Sequence, residues 1–201
     1  MSIERLKALE KAYGVLSMPF PVIVFDSKVG KFKSPSGYLE TPIEIIVLKR
    51  YSQYKYFTEE DGIAKVEFYT TIEENANDCH YNGKTKEELK KMYEKLTYQA
   101  LLLVLVKING KYEPFILILT GYPLASFINA MNKRRYGFSV KYIVKEITEA
   151  ITTDGTTYEI VIDDGNVRED EVDQILNYVE INSPNNVINQ FEAYRKAYNN
   201  Q

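Results

Sequence analysis

Apolar and polar positions alternate with a period of two along much of the chain, which predicts a protein built mainly from β-strands. The strand that starts near Pro42 is apolar on both faces through Leu48, as is typical of a buried strand. Asn109-Gly110 separates two segments rich in Leu, Ile and Val, and this dipeptide strongly favours a two-residue β-hairpin turn. The predicted strands cover 22–25, 42–57, 63–72, 98–108, 112–119, 138–153 and 157–162.

Helical periodicity occurs near both ends of the chain and twice between strands. In the helix predicted before the last hairpin, Leu124, Ile128 and Met131 are expected to face the core. Ser183-Pro184 is expected to separate two helices of the C-terminal segment. The predicted helices cover 2–13, 86–96, 124–135 and two segments after 167, and the predicted loops cover 28–37 and 73–84.

Antiparallel strands joined by hairpins, with one inserted helix, favour a mainly β fold of the α+β class. We expect an OB-like Greek-key barrel with helical decoration at its N- and C-terminal ends, and a β-sandwich is the alternative. The predicted organisation is an N-terminal helix over 1–18, an OB-like nucleic-acid-binding domain over 19–165 and an acidic helical C-terminal segment over 166–201.

The composition excludes several classes of protein. One Cys among 201 residues excludes a disulfide scaffold, and one His leaves most zinc hydrolase schemes without ligands. The longest apolar run, Leu101 to Val106, is far shorter than the roughly 20 residues of a membrane helix. The N-terminus has no signal-peptide pattern, so we expect no membrane association and a cytoplasmic location, in the host cell if a phage encodes the protein.

Motifs of enzymes are missing from the sequence. No Gly-rich phosphate-binding loop of the Walker or dinucleotide type occurs. Cys79 and His80 are adjacent in a polar segment, but sequence adjacency is not the spatial pairing that a nucleophile needs. The acidic residues from Asp163 to Asp173 do not follow the spacing of a calcium-binding loop, so a solvated acidic face is expected. We therefore predict no catalytic residue, no metal ligand and no cofactor.

Charge is distributed unevenly along the chain, although the net charge is only −3. Residues 1–150 carry 22 basic and 18 acidic side chains, whereas residues 151–201 carry three basic and ten acidic ones. A weakly basic body suits a polyanionic partner. The acidic segment is open to three interpretations: it competes with that partner, recruits replication proteins, or simply packs on the body.

Aromatic and basic residues are interleaved in the second half of the long strand, from Lys49 to Phe57. Alternation places Lys49, Tyr51 and Lys55 on one face and Arg50, Tyr54 and Tyr56 on the other, so each face combines rings with positive charge. Single-stranded nucleic acid suits this combination, because bases stack on rings and cations neutralise phosphates. The structural alternative is that Tyr, a good strand former, fills a half-buried sheet.

A second group of this kind follows the inserted helix. Lys133-Arg134-Arg135-Tyr136 and Phe138 lie at a helix-to-strand junction, with Lys141 on the next strand. One cation would complement the helix dipole, and three exceed that need. A third contribution is expected from the 31–38 loop. The predicted DNA-binding residues are Lys33, Tyr38, Lys49, Arg50, Tyr51, Tyr54, Lys55, Tyr56, Phe57, Lys133, Arg134, Arg135, Tyr136, Phe138 and Lys141.

The chain resembles the single-stranded DNA-binding proteins of some bacteriophages. The resemblance covers roughly residues 20–163 and rests on Lys33-Ser34-Pro35-Ser36-Gly37-Tyr38, the Tyr-rich strand after Ile43–Leu48, and the apolar hairpin that leads to Leu119-Thr120-Gly121 and a helix. It implies an OB-fold that coats single strands during DNA replication or recombination. The phage proteins of this kind often carry several cysteines where this chain has Cys79 alone. Bacterial single-stranded DNA-binding proteins typically end in an acidic tip with an apolar last residue, and the last residues here, Asn199-Asn200-Gln201, depart from that pattern.

Two interpretations of function therefore follow from the sequence. The first is nonspecific single-stranded DNA binding by ring stacking and phosphate contacts, with the preference between DNA and RNA left open. The alternative is a structural or assembly protein that self-associates through its sheet and has no catalytic activity.

Overall fold

The computed structural model describes residues 20–61, 63–152 and 155–181. The helix predicted over 2–13 and the second helix of the C-terminal segment lie outside the described residues. The described strands are β1 Val22–Asp26, β2 Lys31–Ser34, β3 Gly37–Tyr38, β4 Ile43–Glu60, β5 Ile63–Tyr69, β6 His80–Tyr81, β7 Lys84–Thr85, β8 Leu96–Ile108, β9 Lys111–Leu119, β10 Val140–Thr152 and β11 Gly155–Asn166. The described helices are α1 Lys86–Met92, α2 Gly121–Lys133 and α3 Val172–Ile181, with a 3₁₀ turn at Glu169–Glu171.

Nine of these strands form one sheet, so the described chain is mainly β, as expected. The order across the sheet is β11-β10-β4-β8-β9-β1-β2-β3, and β5 pairs with the far end of β4. Neighbouring strands are antiparallel except for the parallel pair β1 and β9. The hairpin at Asn109-Gly110 is confirmed, and both turn residues have the positive φ angles that such a turn requires.

The expected closed barrel is not found among the described residues, because the end strands β11 and β3 do not pair with each other. The sheet is nevertheless curled. Tyr158 of β11 packs against Phe25 of β1, with 5.9 Å between their ring centroids, although β11 and β1 are separated by four strands in the sheet order. The contact between the two parts of the sheet is thus made by side chains and not by a strand ladder.

Apolar side chains cover both faces of the sheet, because β4 and β8 are apolar at consecutive positions. On one face, Leu102 and Val104 of β8 pack with Leu124 and Phe127 of α2. On the other face, Leu103 of β8 belongs to a second cluster that also contains residues from other elements. Its further buried members are Ile46, Leu48, Tyr51, Ile72, Leu101, Leu105, Tyr112, Ile116 and Ile175.

Both predicted loops contain short strands. The segment 28–37 contains β2, which pairs with β1, and its Phe32 is buried in the main core. The segment is rich in Lys, Ser and Gly, and Phe32 is the one large apolar residue of β2. The sequence pattern therefore does not predict this strand. The predicted loop 73–84 contains β6, which pairs with β7 in a small separate sheet. Elsewhere the differences concern boundaries: α2 begins three residues before the predicted helix, and β11 extends four residues beyond the predicted strand.

The start of the C-terminal segment packs on the sheet. Ile175 of α3 is buried in the second core cluster, and Glu171 forms ion pairs with Lys107 and Lys141. The described part of the C-terminal segment therefore packs on the body, which is one of the three interpretations given above. No helix within the described ranges is both long and apolar enough to cross a membrane.

Candidate nucleic-acid interface

The edge of β4 that faces away from β8 carries much of the predicted site. β10 pairs with Ile43–Ile45 at one end of this edge, and β5 pairs with the last residues of β4 at the other. Between them, Ser52 forms a single bridge to Glu73. Because β10 begins beside this edge, the α2–β10 junction with its basic residues lies next to the middle of β4.

The Tyr136 hydroxyl of the junction also acts on Tyr51 of β4. The pKa of Tyr51 on β4 rises to about 12, first because of burial and then because of Glu74 and of Tyr136 in the junction. The two aromatic–basic groups, far apart in sequence, therefore meet at one edge of the sheet. The side-chain alternation predicted for β4 also holds, since Lys49, Tyr51 and Lys55 pair across the ladder with alternate residues of β8.

Three predicted residues are buried and cannot take part in a surface interface. Tyr51 and Tyr54 are 3% and 6% exposed, so their rings belong to the interior of the sheet. For these two, the structural interpretation of the tyrosines is correct, because β4 is covered on both faces where they lie. Lys141 is 7% exposed and is the third.

The Lys141 ammonium belongs to a buried ion cluster. Its Nζ donates to Glu44 Oε2 at 2.8 Å and to Glu171 Oε2 at 3.1 Å, and Lys107 donates to Glu171 Oε1 at 2.7 Å. Burial by itself would lower the pKa of Lys141, but the hydrogen bonds to the two carboxylates outweigh it and the pKa is raised. The prediction that Lys141 contacts DNA is therefore wrong. Its ammonium instead connects β10 and β4 to Glu171 at the start of the C-terminal segment.

Two further predicted cations are neutralised by carboxylates at the surface. Lys49 Nζ lies 2.6 Å from Glu74 Oε1, and Arg134 Nη1 lies 3.0 Å from Asp164 Oδ2. Arg134 also donates to Asn166 and so ties the end of α2 to β11. Both residues would have to exchange a carboxylate partner in order to bind a phosphate.

The remaining five cations have no carboxylate within 4 Å among the described residues. In the α2–β10 junction, Lys133 and Arg135 are exposed. On β4, the Arg50 guanidinium donates to the uncharged Tyr98 hydroxyl at 3.1 Å. The five are Lys33, Arg50, Lys55, Lys133 and Arg135.

Exposed rings accompany some of these cations. Phe138 is 44% exposed in the same junction as Lys133 and Arg135. Tyr38 is equally exposed, and Lys33 Nζ lies 6.0 Å from the centroid of its ring. The Tyr38 hydroxyl donates to Asp26, and this bond holds the pKa of the Asp26 carboxyl below its usual range. Phe57 and Tyr136 are half-buried.

The ring of Tyr56 is largely used inside the protein. Its centroid lies 4.6 Å from that of Tyr93 and 5.5 Å from that of Phe68, and Phe68 stacks on Tyr81 at 4.1 Å. These partners come from β5, β6 and the end of α1. No local sequence pattern indicates these three partners, because they are spread over distant segments of the chain.

Residues considered for other chemistry have ordinary structural contacts. Cys79 is buried, its Sγ donates to the Ser52 carbonyl, and burial raises the pKa of its thiol. The acids Asp163 and Asp164 pair with Lys145 and Arg134. Within the described ranges no group of three or more His, Cys, Asp or Glu residues is arranged to hold a metal ion.

The candidate interface that emerges is smaller than the predicted one. We define it as the junction surface, which comprises Lys133, Arg135, Tyr136 and Phe138. Lys33 and Tyr38 form a separate exposed pair, and Arg50, Lys55 and Phe57 lie on β4. No protein-family model, no curated protein and no solved structure matches this chain.

Proposed function

We propose that the protein binds single-stranded DNA without strong sequence preference, with the junction surface as its main contact. One observation supports the proposal: Lys133 and Arg135 have no carboxylate partner among the described residues, and Phe138, three residues after Arg135, exposes its ring. Cations of this kind bind phosphates, and an exposed ring stacks on an unpaired base. Duplex DNA gains little from such a ring because its bases are already stacked.

The proposal extends to the fold and the biological setting. The curled, largely antiparallel sheet is compatible with an open OB-like arrangement, and the resemblance to phage proteins favours a role in protecting strands during replication or recombination. Single-stranded RNA offers the same phosphates and bases, so the proposed contacts do not discriminate against it.

A double variant of the junction surface tests the proposal. Lys133→Ala with Arg135→Ala should weaken the binding of a fluorescent oligo-dT strand about tenfold at low salt, since two phosphate contacts are lost. Lys145→Ala is the matched control, because Lys145 is exposed but already paired with Asp163 at 2.9 Å. Equal affinities of the double variant and the unaltered protein would remove the junction surface from the interface.

A second function, assembly through the sheet, is favoured by one observation. β11 is an end strand of 12 residues, and its outer edge pairs with no other described strand. Long unpaired edges are templates for pairing with another chain. If the protein self-associates through β11, its mass by light scattering will rise with concentration, and Val161→Lys on that strand will return it to a monomer. A constant monomer mass would exclude this function.

A further inference from the structure

A cavity of about 320 Å³ lies where β1 and β9 end, α2 begins and β11 starts. Its walls include the rings of Phe25, Tyr122 and Tyr158 and the polar side chains of Lys55, Gln99 and Thr156. The volume is within the range of small-ligand sites, which are typically apolar with a few convergent polar groups.

Gln99 is the first sign that the cavity is a binding site. Its side chain lines the cavity and is 7% exposed, yet it has no hydrogen-bond partner among the described residues. Within the described ranges every fully buried side-chain nitrogen or oxygen has a hydrogen-bond partner, so the amide atoms of Gln99 are reached by solvent through the open cavity. The opposite residue on β4, Gln53, does have a partner, since it donates to the Thr70 carbonyl at 3.2 Å. The Gln99 amide is thus free to bind a ligand in the cavity.

Lys55 supplies a positive charge to the same cavity. Its ammonium has no carboxylate within 4 Å among the described residues, and its Nζ lies 5.9 Å from the centroid of the Phe57 ring. Burial lowers the pKa of Lys55, so the protein does not compensate the charge that it partly buries. An anion in the cavity would compensate it.

The N-terminus of α2 adds backbone donors. Thr120 precedes the helix and makes no side-chain capping hydrogen bond, and the first turn contains no acidic residue. The first N–H groups of an α-helix have no partner within it, so those at Gly121 and Tyr122 can donate to an anion. Among the described residues that line the cavity none is acidic, so nothing there opposes a negative charge.

We propose that this cavity binds a phosphate ester that carries one aromatic ring, with the phosphate between Lys55, the Gln99 amide and the α2 N-terminus. The ring of the ligand packs against Tyr122 and Tyr158. The proposal does not depend on strand binding by the junction surface. The phosphate can come from a free ester or from a nucleotide unit of a strand, and the two sources differ in the experiment below.

Isothermal titration with inorganic phosphate, phenyl phosphate and phenol tests the site. The protein should bind phenyl phosphate more tightly than inorganic phosphate and should not bind phenol, with Kd below about 1 mM for the ester. Lys55→Met and Gln99→Leu should each weaken the ester about tenfold. Lys111→Met is the control, since it removes one exposed lysine at the opposite end of β9.

The variants also distinguish a DNA strand from a free ester as the source of the phosphate, and a second variant replaces Lys55→Met if that protein does not fold. If the phosphate belongs to a strand, Lys55→Met weakens oligo-dT and phenyl phosphate alike. If the ligand is a free ester, only phenyl phosphate is affected. Should Lys55→Met fail to fold, Thr156→Asp puts a carboxylate at the exposed rim and should weaken the ester equally. Absence of ester binding, or equal binding by the Lys55 and Lys111 variants, would overturn the proposal.

Discussion

The ring of Tyr158 lies directly over Gly30, so close that a Cβ added to the glycine would be 2.3 Å from Tyr158 Cε1. Gly30 is in the turn between β1 and β2, whereas Tyr158 is on β11 at the other end of the sheet. Gly30 also has a φ of +67°, which a residue with a side chain rarely adopts. This contact is the point at which the curled sheet meets itself.

Gly30→Ala should therefore destabilise the fold by about 3 kcal/mol, from backbone strain together with the clash with Tyr158. Gly83 is a matched control, because its φ is +73° and nothing lies within 4 Å of an added Cβ. Gly83→Ala should cost about 1 kcal/mol, from strain alone. Urea unfolding of both variants measures the difference, and equal losses would mean that the Tyr158 contact does not hold the sheet in its curled form.

The buried ion cluster joins three strands to the C-terminal segment and should be sensitive to the loss of one charge. Glu171→Gln leaves Lys107 and Lys141 with a single carboxylate, that of Glu44. We expect a loss of about 3 kcal/mol in unfolding free energy. Asp170→Asn is the control, since Asp170 pairs only with exposed Arg168 among the described residues and should change stability by less than about 1 kcal/mol. A small effect of Glu171→Gln would show that the cluster does not anchor the segment.

Stability should also fall in acid because of Glu171. Burial alone would raise the pKa of its carboxyl, but hydrogen bonds from Lys107, the Arg168 backbone and Lys141 outweigh burial and lower the pKa to about 2. A lowered pKa in the folded state stabilises the protein at pH above the ordinary value of 4.5, and that contribution disappears as pH falls toward 2. Thermal melts between these limits should show a smaller decline for Glu171→Gln than for the unaltered protein. An equal decline of the melting temperature in both proteins would contradict the assignment of this acid sensitivity to Glu171.

Phe138 should contribute to strand binding through its ring. Phe138→Ala should weaken oligo-dT binding about tenfold, because stacking of one base is lost, and should leave the melting temperature nearly unchanged. Phe138→Tyr keeps the ring and should retain binding. Ile151→Ala is a further control, since Ile151 is 88% exposed but lies outside the junction surface. Equal loss in the alanine and tyrosine variants would argue against stacking.

Much of the fold follows from local sequence patterns. The apolar hairpin at Asn109-Gly110, the long strand after Pro42 and α2 each carry a strong periodic or turn signal, and each is present. β2 has a weaker signal, because Phe32 is its one large apolar residue and lysines surround it. Whether the sheet closes into a barrel depends on which distant strands pair with each other. No local sequence pattern determines that pairing.

The candidate site was harder to predict, because exposure and ion pairing depend on distant residues. Tyr51 and Tyr54 are buried since the curled sheet is covered on both faces, which strand alternation cannot indicate. Lys141 is neutralised by Glu44 and Glu171, and these lie 97 and 30 residues away in sequence. Lys133 and Arg135, by contrast, stay exposed at the end of a helix, where a run of cations is a direct sequence signal.

The most direct test of the account is the affinity for a fluorescent oligo-dT strand of about 30 nucleotides, measured at several salt concentrations beside a matched duplex. We expect tight binding to the single strand, weak binding to the duplex, and a plot of log K against log salt with a slope of about −1.4, as for the two phosphates that Lys133 and Arg135 neutralise. No binding to the single strand, equal binding to both forms, or an affinity that salt does not change would contradict the proposed function.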